Sequence, residues 1–400
     1  MKIGIIKEGK IPSDNRVPLA PNQCAHINET TSHKVVVQSS DIRCFSDQDY
    51  VDEGITIVEN VDDCDLLMGV KEVPIDSLLA DKMYMFFSHT IKRQPYNRKL
   101  LKAILEKNIH LVDYETIVDE NDKRLIAFGK FAGMVGAHNG VMTFGARTGL
   151  YALPRMTTFL NYKKAKENYE GLKLPNICVV LTGSGRVGNG AARVLQDLGF
   201  KKVSPEEFKH NDFNSPIFTQ LHSGDYIQKK DESDFEKHEY YKNPSNFKID
   251  FSSFYKKADI FVNGIYWDSD GPAFFTIDEM QSSDFNIQVI ADVTCDIAPE
   301  SSIPSTVRPS TIEEPVYGFN PSTGNENDPY QPDCIDVMAI DNLPNELPRD
   351  ASRAFGDMFI EHVLPELDPD SDLIQRSSMT TPDGKLTEKF KYLESYSENN

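Results

Sequence analysis

Two titratable side chains follow short apolar runs in the first third of the chain. Lys71 comes directly after residues 66–70, and His89 follows residues 83–88. If the two runs are neighbouring strands of a parallel sheet, both side chains project into one crevice, where burial and like-charge repulsion lower their pKa values toward neutrality. A lysine and a histidine tuned in this way suit general acid–base catalysis. The alternative is a solvated loop lysine and a structural histidine.

Two arginines have the chemistry to bind carboxylates. Arg16 and Arg124 are predicted in loops or at strand starts, and a guanidinium binds a carboxylate through two parallel hydrogen bonds. Taken alone, each is better explained as a surface arginine, so their assignment depends on what accompanies them.

A glycine-rich turn lies near the middle of the chain, in the sequence VVLTGSGRVGNGA of residues 179–191. Gly183, Gly185 and Gly188 fit G-x-G-x-x-G between an apolar strand and an amphipathic helix. The first glycine permits the tight turn, the second lets the pyrophosphate approach the backbone, and the third allows helix and strand to pack closely. With the intervening Ser184, Arg186 and Val187, they are the predicted cofactor-binding turn. The alternative is a purely structural turn.

Other polar residues extend this predicted dinucleotide site. An acidic residue about 20 positions after the turn usually holds the adenosine ribose. Glu206 and Glu207 are near that distance and favour NAD, although Lys201 and Lys202 would equally attract a 2'-phosphate. Later strands are predicted over residues 259–266 and 287–294. Asn263, Tyr266 and Asp292 lie at their ends and are predicted to contact dinucleotide or substrate, with loop capping as the alternative.

Strands alternate with helical patterns along the whole chain, which predicts an α/β fold with two domains. A helix is expected within residues 134–169, and the polar segment 204–257 is expected to be an insertion. The last strand, over residues 337–340, is predicted to return to the first domain.

Composition excludes several classes of function. With 42 basic and 62 acidic side chains the formal charge is -20, which disfavours nucleic acid and anionic membranes as partners. No apolar run approaches the roughly 20 residues of a membrane span, so we expect a soluble cytoplasmic protein. The six cysteines are scattered, with no C-x-x-C pair, and predict neither a disulfide framework nor a metal site.

Several motifs occur together in an order typical of one superfamily. The chain resembles the alanine dehydrogenase/transhydrogenase superfamily and, within it, the NAD-dependent, lysine-forming saccharopine dehydrogenases. The motifs that carry this resemblance are KIGIIKEGKIPSDNRVPLAP, LLMGVKEVP, FFSHTIK, LVDYETIVDENDKRLIAFGKFAGMVGA, LTGSGRVGNGA, IFVNGIYW, VIADVTCD and MAIDNLPNELPRDAS.

The resemblance implies a fold of two Rossmann-like domains with parallel sheets. Residues 1–135, completed by residues 336–400, would form a discontinuous substrate domain. Residues 136–335 would form an NAD-binding domain inserted into it, with the substrate in the cleft between the two domains. The glycine turn would lie mid-chain because its domain is the inserted one.

The resemblance also implies a reaction, the oxidation of saccharopine by NAD to L-lysine and 2-oxoglutarate. By family position, Lys71 would serve the substrate amine and His89 would activate water. Arg16 and Arg124 would bind substrate carboxylates, and Glu115 would tune the pKa values of the catalytic pair. Asp341 would lie near the nicotinamide. Glu115 and Asp341 are alternatively structural residues.

Other functions remain open from the sequence. The same residues suit an alanine dehydrogenase or another opine or amino-acid dehydrogenase. A regulator that binds NAD without turnover is a non-enzymatic alternative, although it would need the glycine turn and not the lysine and histidine. The expected partners are small-molecule substrates, and the chain is expected to be a monomer or a small homo-oligomer.

Overall fold

The structure is a computed structural model that describes residues 1–398. The chain divides into two compact units, one formed by Met1–Phe128 with Pro348–Asn400 and the other by Gly129–Leu347. Each unit contains a mainly parallel sheet with helices between its strands. The predicted α/β class with two Rossmann-like sheets is confirmed. Which unit binds substrate and which binds the dinucleotide stays a prediction.

The first unit is built on a six-stranded, fully parallel sheet in the order β3-β2-β1-β4-β5-β6. Strands β4 to β6 are buried along their whole length, as expected for a parallel sheet covered on both faces. The strand order reverses between β1 and β4, and a crevice opens at such a point. The elements are β1 (Lys2–Ile5), α1 (Pro21–Thr30), β2 (Lys34–Gln38), α2 (Asp47–Asp52), β3 (Thr56–Val58), β4 (Leu66–Met68), β5 (Met83–Phe86), α3 (Arg98–Glu106) and β6 (His110–Asp113).

The second unit contains an eight-stranded sheet in the order β15-β14-β16-β13-β12-β7-β9-β8. Six of these strands are parallel, while β14 and β15 are antiparallel to their neighbours. The elements are α4 (Gly129–Thr148), α5 (Tyr162–Tyr169), β7 (Cys178–Thr182), α6 (Arg186–Asp197), β8 (Lys201–Val203), α7 (Pro205–His210), β9 (Ile217–Leu221), β10 (Ile227–Lys229), α8 (Lys237–Lys242), β11 (Phe247–Ile249), α9 (Ser252–Tyr255), β12 (Ile260–Asn263), α10 (Ile277–Met280), β13 (Val289–Asp292), β14 (Tyr317–Asn320), β15 (Asn325–Asn327) and β16 (Ile335–Met338).

Three predicted elements of the second unit are wrong. The segment 204–257 is not an insertion throughout, because it contains β9, a fully buried strand beside β7. The strand predicted to return to the first domain is β16, which pairs with β13 in the second sheet. The helix predicted within residues 134–169 is two helices, since Gly149 has a φ of +68° and ends α4.

The last part of the chain completes the first unit. It forms α11 (Pro348–His362), α12 (Asp372–Ser377) and α13 (Glu394–Glu398). After α12, Met379 N donates to Leu111 O at 2.8 Å, and Leu111 N donates to Thr380 Oγ1 at 2.7 Å. These bonds satisfy backbone groups along the outer edge of β6, which would otherwise be open for pairing with another chain.

Candidate active site

Lys71 and His89 follow neighbouring strands of the first unit. Strands β4 and β5 are parallel, with Met68 opposite Met85. The pairing continues past the strands, because Gly69 N donates to Met85 O and Phe87 N donates to Val70 O, both at 3.0 Å. The predicted proximity of the two strands is therefore confirmed. Lys71 leaves the sheet immediately after the last paired residue.

Glu72 is a member of this site that the sequence analysis missed. Its Oε1 lies 2.6 Å from His89 Nδ1, and its Oε2 lies 3.0 Å from Lys10 Nζ. Burial opposes ionisation of Glu72, but the His89 hydrogen bond and the charges of His89 and Lys10 outweigh it and lower the pKa to about 2. An ionised carboxylate only accepts, so Nδ1 of His89 carries the proton in this bond. The other ring nitrogen of His89, Nε2, can then act as a proton acceptor.

His89 has a φ of +51°, in the left-handed region that non-glycine residues rarely adopt. Such a conformation costs about 1–3 kcal/mol and is typical of functional sites. Its ring is stacked on Phe87, with ring centroids 6.2 Å apart. The backbone strain and the bond to Glu72 together fix the direction of the imidazole.

Lys71 has an altered acidity, but the cause differs in part from the predicted one. Burial and then the positive charges of Arg16 and Lys10 lower the pKa of Lys71 from 10.5 to about 8. The like-charge repulsion therefore comes from Arg16 and Lys10. At neutral pH about one molecule in ten carries this amine unprotonated, against fewer than one in a thousand for an ordinary lysine.

The two predicted carboxylate-binding arginines already have acidic partners. Arg16 is buried and forms two hydrogen bonds with Asp14, from Nε at 3.0 Å and from Nη2 at 2.6 Å. Arg124 is partly exposed, and its Nη2 lies 2.6 Å from Oε1 of Glu115. The Oε2 atom of Glu115 is buried and makes no hydrogen bond within residues 1–398. Glu115 thus keeps one acceptor oxygen that a ligand could use.

An aromatic wall lies beside these charged groups in the first unit. Phe87, Tyr114, Phe128 and Phe355 contact one another, with centroid distances of 4.5 to 6.1 Å. The Arg16 guanidinium lies over the Phe128 ring at 4.3 Å. Apolar rings exclude water and strengthen the electrostatic interactions near them. The rings thereby bury the Arg16 guanidinium, whose charge is one cause of the lowered pKa of Lys71.

The glycine turn of the second unit has the backbone that the sequence predicted. Gly183 has a φ of +100°, and a Cβ there would lie 2.4 Å from the Gly264 oxygen. A Cβ at Gly188 would lie 2.0 Å from the Gly183 oxygen, so strand and helix meet at backbone distance. A Cβ at Gly185 would meet no atom within 4 Å. The first and third glycines are needed by the fold, whereas the second leaves space for a ligand.

Helix α6 begins at this space. Gly185 is its N-cap and provides no side-chain cap, so the first amides of a 12-residue helix are available to an anion. Ser184 and Arg186 are exposed on either side, and Val187 packs beneath Gly264. The turn therefore fits the pyrophosphate of a dinucleotide.

The strand that flanks the turn is β9, and not β8 as the chain order suggested. Gly183 N donates to Leu221 O at 3.1 Å, so residues 222–225 begin directly beside the first glycine. Gln220 Nε2 donates to Gly183 O at 3.0 Å, and Lys202 Nζ donates to Gln220 Oε1 at 2.8 Å. Asp225 follows within the same short turn. Its Oδ2 accepts from His222 N at 2.6 Å, and it follows the strand beside the glycine turn, after which a ribose-binding acid is expected.

Glu206 and Glu207 follow the edge strand β8. Glu207 is the N3 residue of a capping box with Ser204, whose Oγ accepts from Glu207 N at 3.2 Å. Strand β8 pairs only with β9 among the strands of the described chain. A role of these glutamates at the ribose stays a prediction, and Asp225 is a second candidate.

The other predicted cofactor residues have distinct surroundings. Asp292 is fully buried and accepts from Thr306 Oγ1 at 2.7 Å and Asn263 Nδ2 at 3.0 Å, and burial raises its pKa to about 6. Tyr266 is 76% exposed after β12. Asp341 is exposed. It lies near Cys295, and its charge adds to the effects of burial and Asp292 that raise the pKa of the Cys295 thiol. Their contact with a dinucleotide stays a prediction.

Within residues 1–398, no group of three or more histidine, cysteine or carboxylate side chains has the arrangement of a metal site. Across the same residues, no helix is both long and apolar enough to cross a bilayer.

Comparison with known proteins agrees with this arrangement. Residues 4–135 match the family model described as alanine dehydrogenase/PNT, N-terminal domain. The predicted resemblance to the alanine dehydrogenase/transhydrogenase superfamily is confirmed over these residues. A solved structure of an L-alanine dehydrogenase has a TM-score of 0.66 over 99% of both chains at 16% identity, which shows that the fold is shared.

Curated relatives fall into two groups. The chain is 30% identical to the alpha-aminoadipic semialdehyde synthase of Rattus norvegicus over 95% of its own length and 46% of that protein. It therefore spans about half the length of such relatives. It is also 27% identical to the saccharopine dehydrogenase (NAD(+), L-lysine-forming) of Yarrowia lipolytica, with 88% of this chain and 89% of that protein covered.

Proposed function

We propose that this chain is a dehydrogenase that uses a nicotinamide dinucleotide to oxidise the secondary amine of saccharopine. The balanced reaction is saccharopine, NAD+ and water to L-lysine, 2-oxoglutarate, NADH and a proton. The observation that carries the proposal is the desolvated Lys71 amine next to the Glu72–His89 pair. The names of the fungal relatives support this choice of substrate.

The dinucleotide supplies the hydride acceptor. Lys71 takes the proton from the substrate's secondary amine, and a pKa of about 8 lets it do so near neutral pH. The amine's lone pair is then available as the hydride leaves the neighbouring carbon. The product of this step is an imine of the substrate.

His89 completes the reaction by activating water. Glu72 accepts from Nδ1, so Nε2 of His89 is the atom that removes a proton from water as it attacks the imine carbon. The resulting carbinolamine collapses when Lys71 returns a proton to the lysine nitrogen, and 2-oxoglutarate is released. Each proton taken up is thus accounted for by Lys71, His89 or solvent.

Substrate binding requires cations, because saccharopine carries several carboxylates. Arg124 has a partly exposed guanidinium and Arg16 a buried one. We assign Arg124 to direct binding of a carboxylate. Arg16 contributes its positive charge from behind the aromatic wall, and Glu115 orients Arg124 through the 2.6 Å contact.

We further propose NAD rather than NADP as the cofactor. Asp225 lies in the turn that follows β9, where its carboxylate would bind a ribose diol and repel a 2'-phosphate. Lys202, one of the two lysines that could attract that phosphate, donates to Gln220 Oε1 at 2.8 Å. Asp225→Ala is expected to narrow the difference between the dissociation constants of NAD and NADP, measured by titration calorimetry.

A substrate screen tests the proposal. Reduction of NAD is followed by absorbance with saccharopine, alanine and other amino acids, and NADH oxidation is followed with lysine plus 2-oxoglutarate. We expect turnover with saccharopine and in the reverse direction. Turnover with alanine and not with saccharopine would show that the protein is an alanine dehydrogenase. Tight NAD binding without turnover of any amine would support the regulator.

Location and assembly belong to the same proposal. We propose a cytoplasmic monomer or small homo-oligomer, which fractionation of cells and light scattering of the purified protein would test.

A further inference from the structure

A carboxylate from the end of β1 binds the backbone that carries Lys71. Glu8 lies in the loop after β1, which is the neighbour of β4 in the sheet. Its Oε1 accepts from Val70 N at 2.6 Å, and its Oε2 accepts from Lys71 N at 2.9 Å. One side chain therefore satisfies two consecutive amides at the point where Lys71 leaves the sheet.

The two bonds to Glu8 take the place of main-chain hydrogen bonds between β1 and β4, which end before Val70. The ladder between β1 and β4 continues to the bond from Ile6 N to Met68 O at 3.0 Å. Beyond it, the amides of Val70 and Lys71 face the β1 side and bond to Glu8. The space is close fitting, because a Cβ on Gly69 would lie 3.3 Å from Oε1 of Glu8. An unpaired amide in such a place costs about 1–3 kcal/mol.

The surroundings of Glu8 contain further charged and titratable groups. Burial raises the pKa of Glu8 to about 8, the two amides lower it, and Asp14 and Arg16 act in opposite directions. The negative charge of Glu8 also contributes, after burial, to the raised pKa of the Tyr114 phenol. Both oxygens can accept from amides only while Glu8 is ionised, so the two bonds are complete above a pH of about 8.

We propose that Glu8 is a positioning residue for Lys71, holding its amide and that of Val70 so that the amine stays in its desolvated place. The inference rests on the proposed function for its catalytic consequence. Its structural consequence, the environment of the Lys71 amine, can be measured whether or not the protein turns over.

The first measurement is the titration of Lys71. Lysines are reductively methylated with a carbon-13 label, the Lys71 signal is assigned by its loss in Lys71→Met, and its pKa is followed by NMR. In Glu8→Ala we expect the pKa of Lys71 to rise toward 10.5 by at least one unit, because the Lys71 backbone is no longer held and its amine becomes more exposed to water. Loss of a negative charge alone would lower this pKa, so the direction separates positioning from electrostatics.

Asp65→Ala is the matched control. Asp65 lies just before β4, and its Oδ2 accepts from Lys2 N of β1 at 2.7 Å. It thus joins the same two strands by a carboxylate-to-amide bond at the opposite end. We expect it to leave the Lys71 titration and turnover unchanged. Glu8→Gln, which keeps one acceptor oxygen, is expected to fall between wild type and Glu8→Ala and serves if Glu8→Ala does not fold.

The second measurement is turnover with saccharopine. A displacement of about 1 Å can cost 100-fold in rate, so kcat is expected to fall about 10- to 100-fold in Glu8→Ala, while the dissociation constant of NAD changes less than threefold. An unchanged Lys71 pKa in folded Glu8→Gln and Glu8→Ala overturns the inference. A shifted pKa in a protein that oxidises no amine supports the positioning role and rejects the proposed function instead.

Discussion

Substitution of Gly185 by valine separates binding from folding at the glycine turn. Gly185 has a φ of -84° and a ψ of -162°, an extended conformation that valine adopts readily. A Cβ there meets no atom within 4 Å. Stability is expected to change by less than about 1 kcal/mol, because lower entropy of the unfolded chain offsets a poorer N-cap.

The same valine occupies the space that the pyrophosphate needs. A charged ligand at a helix N-terminus is favoured by about 0.3–2 kcal/mol, and each charge-assisted hydrogen bond contributes about 1.5–3 kcal/mol. Displacement of the ligand from these amides therefore costs at least about 3 kcal/mol, which is more than a 100-fold loss of affinity. Titration calorimetry with NAD measures this loss directly.

Gly188→Ala is the companion variant with the opposite expectation. Its Cβ would lie 2.0 Å from the Gly183 oxygen, so β7 and α6 must separate. Overpacking of this kind costs about 1–3 kcal/mol or more, measured by urea denaturation. Wild-type NAD affinity in Gly185→Val would refute the placement of the pyrophosphate. Equal destabilisation by both variants would refute the distinction between the two glycines.

Three further predictions concern other parts of the account. Lys71→Met should raise the free energy of unfolding at pH 7 by about 1–3 kcal/mol, because the lowered pKa of Lys71 means that its charged amine is unfavourable in the folded protein below pH 8. This gain in stability should fade as the pH rises toward 10.5. A variant that is less stable than wild type in urea denaturation at pH 7 would contradict the prediction. Glu72→Gln should lower kcat about 10- to 100-fold with NAD affinity kept, since the His89 ring loses its charged partner, and stopped-flow turnover checks this. Glu206→Ala should leave NAD affinity within about twofold, because β8, the strand before it, lies at the sheet edge. A tenfold loss of affinity would support Glu206 as the ribose ligand.

The sequence predicts those parts of the fold that rest on local patterns. Residues 83–87 and 109–113 are short apolar runs, and each forms a buried parallel strand. The glycine turn is equally local, since Gly188 is required by its contact with Gly183, five residues earlier. Patterns of this kind need no knowledge of which elements meet.

Strand order is a non-local property and was not predictable in the second unit. Strand β9 follows β8 in the chain but inserts between it and β7. This adds Asp225 to Glu206 as a candidate for the ribose-binding acid. The polar surroundings of β9 in the sequence concealed a strand that is buried along its whole length.

The partners of the catalytic candidates were also beyond the sequence. Glu72 follows Lys71 directly, yet nothing in its position indicates a 2.6 Å contact with His89, which lies 17 residues further on. Glu8 interacts with amides 62 and 63 residues away. Such contacts depend on the spacing of neighbouring strand ends, which the sheet fixes only after it has formed.

The pH dependence of saccharopine oxidation in wild type and Lys71→Met tests the central claim most directly. If Lys71 is the base, kcat/KM for wild type rises about tenfold per pH unit up to its pKa of about 8 and then levels off. Lys71→Met should be at least about 100-fold slower and should lack that rise, with NAD affinity unchanged. Turnover of Lys71→Met at the wild-type rate, with the same pH profile, would contradict the account.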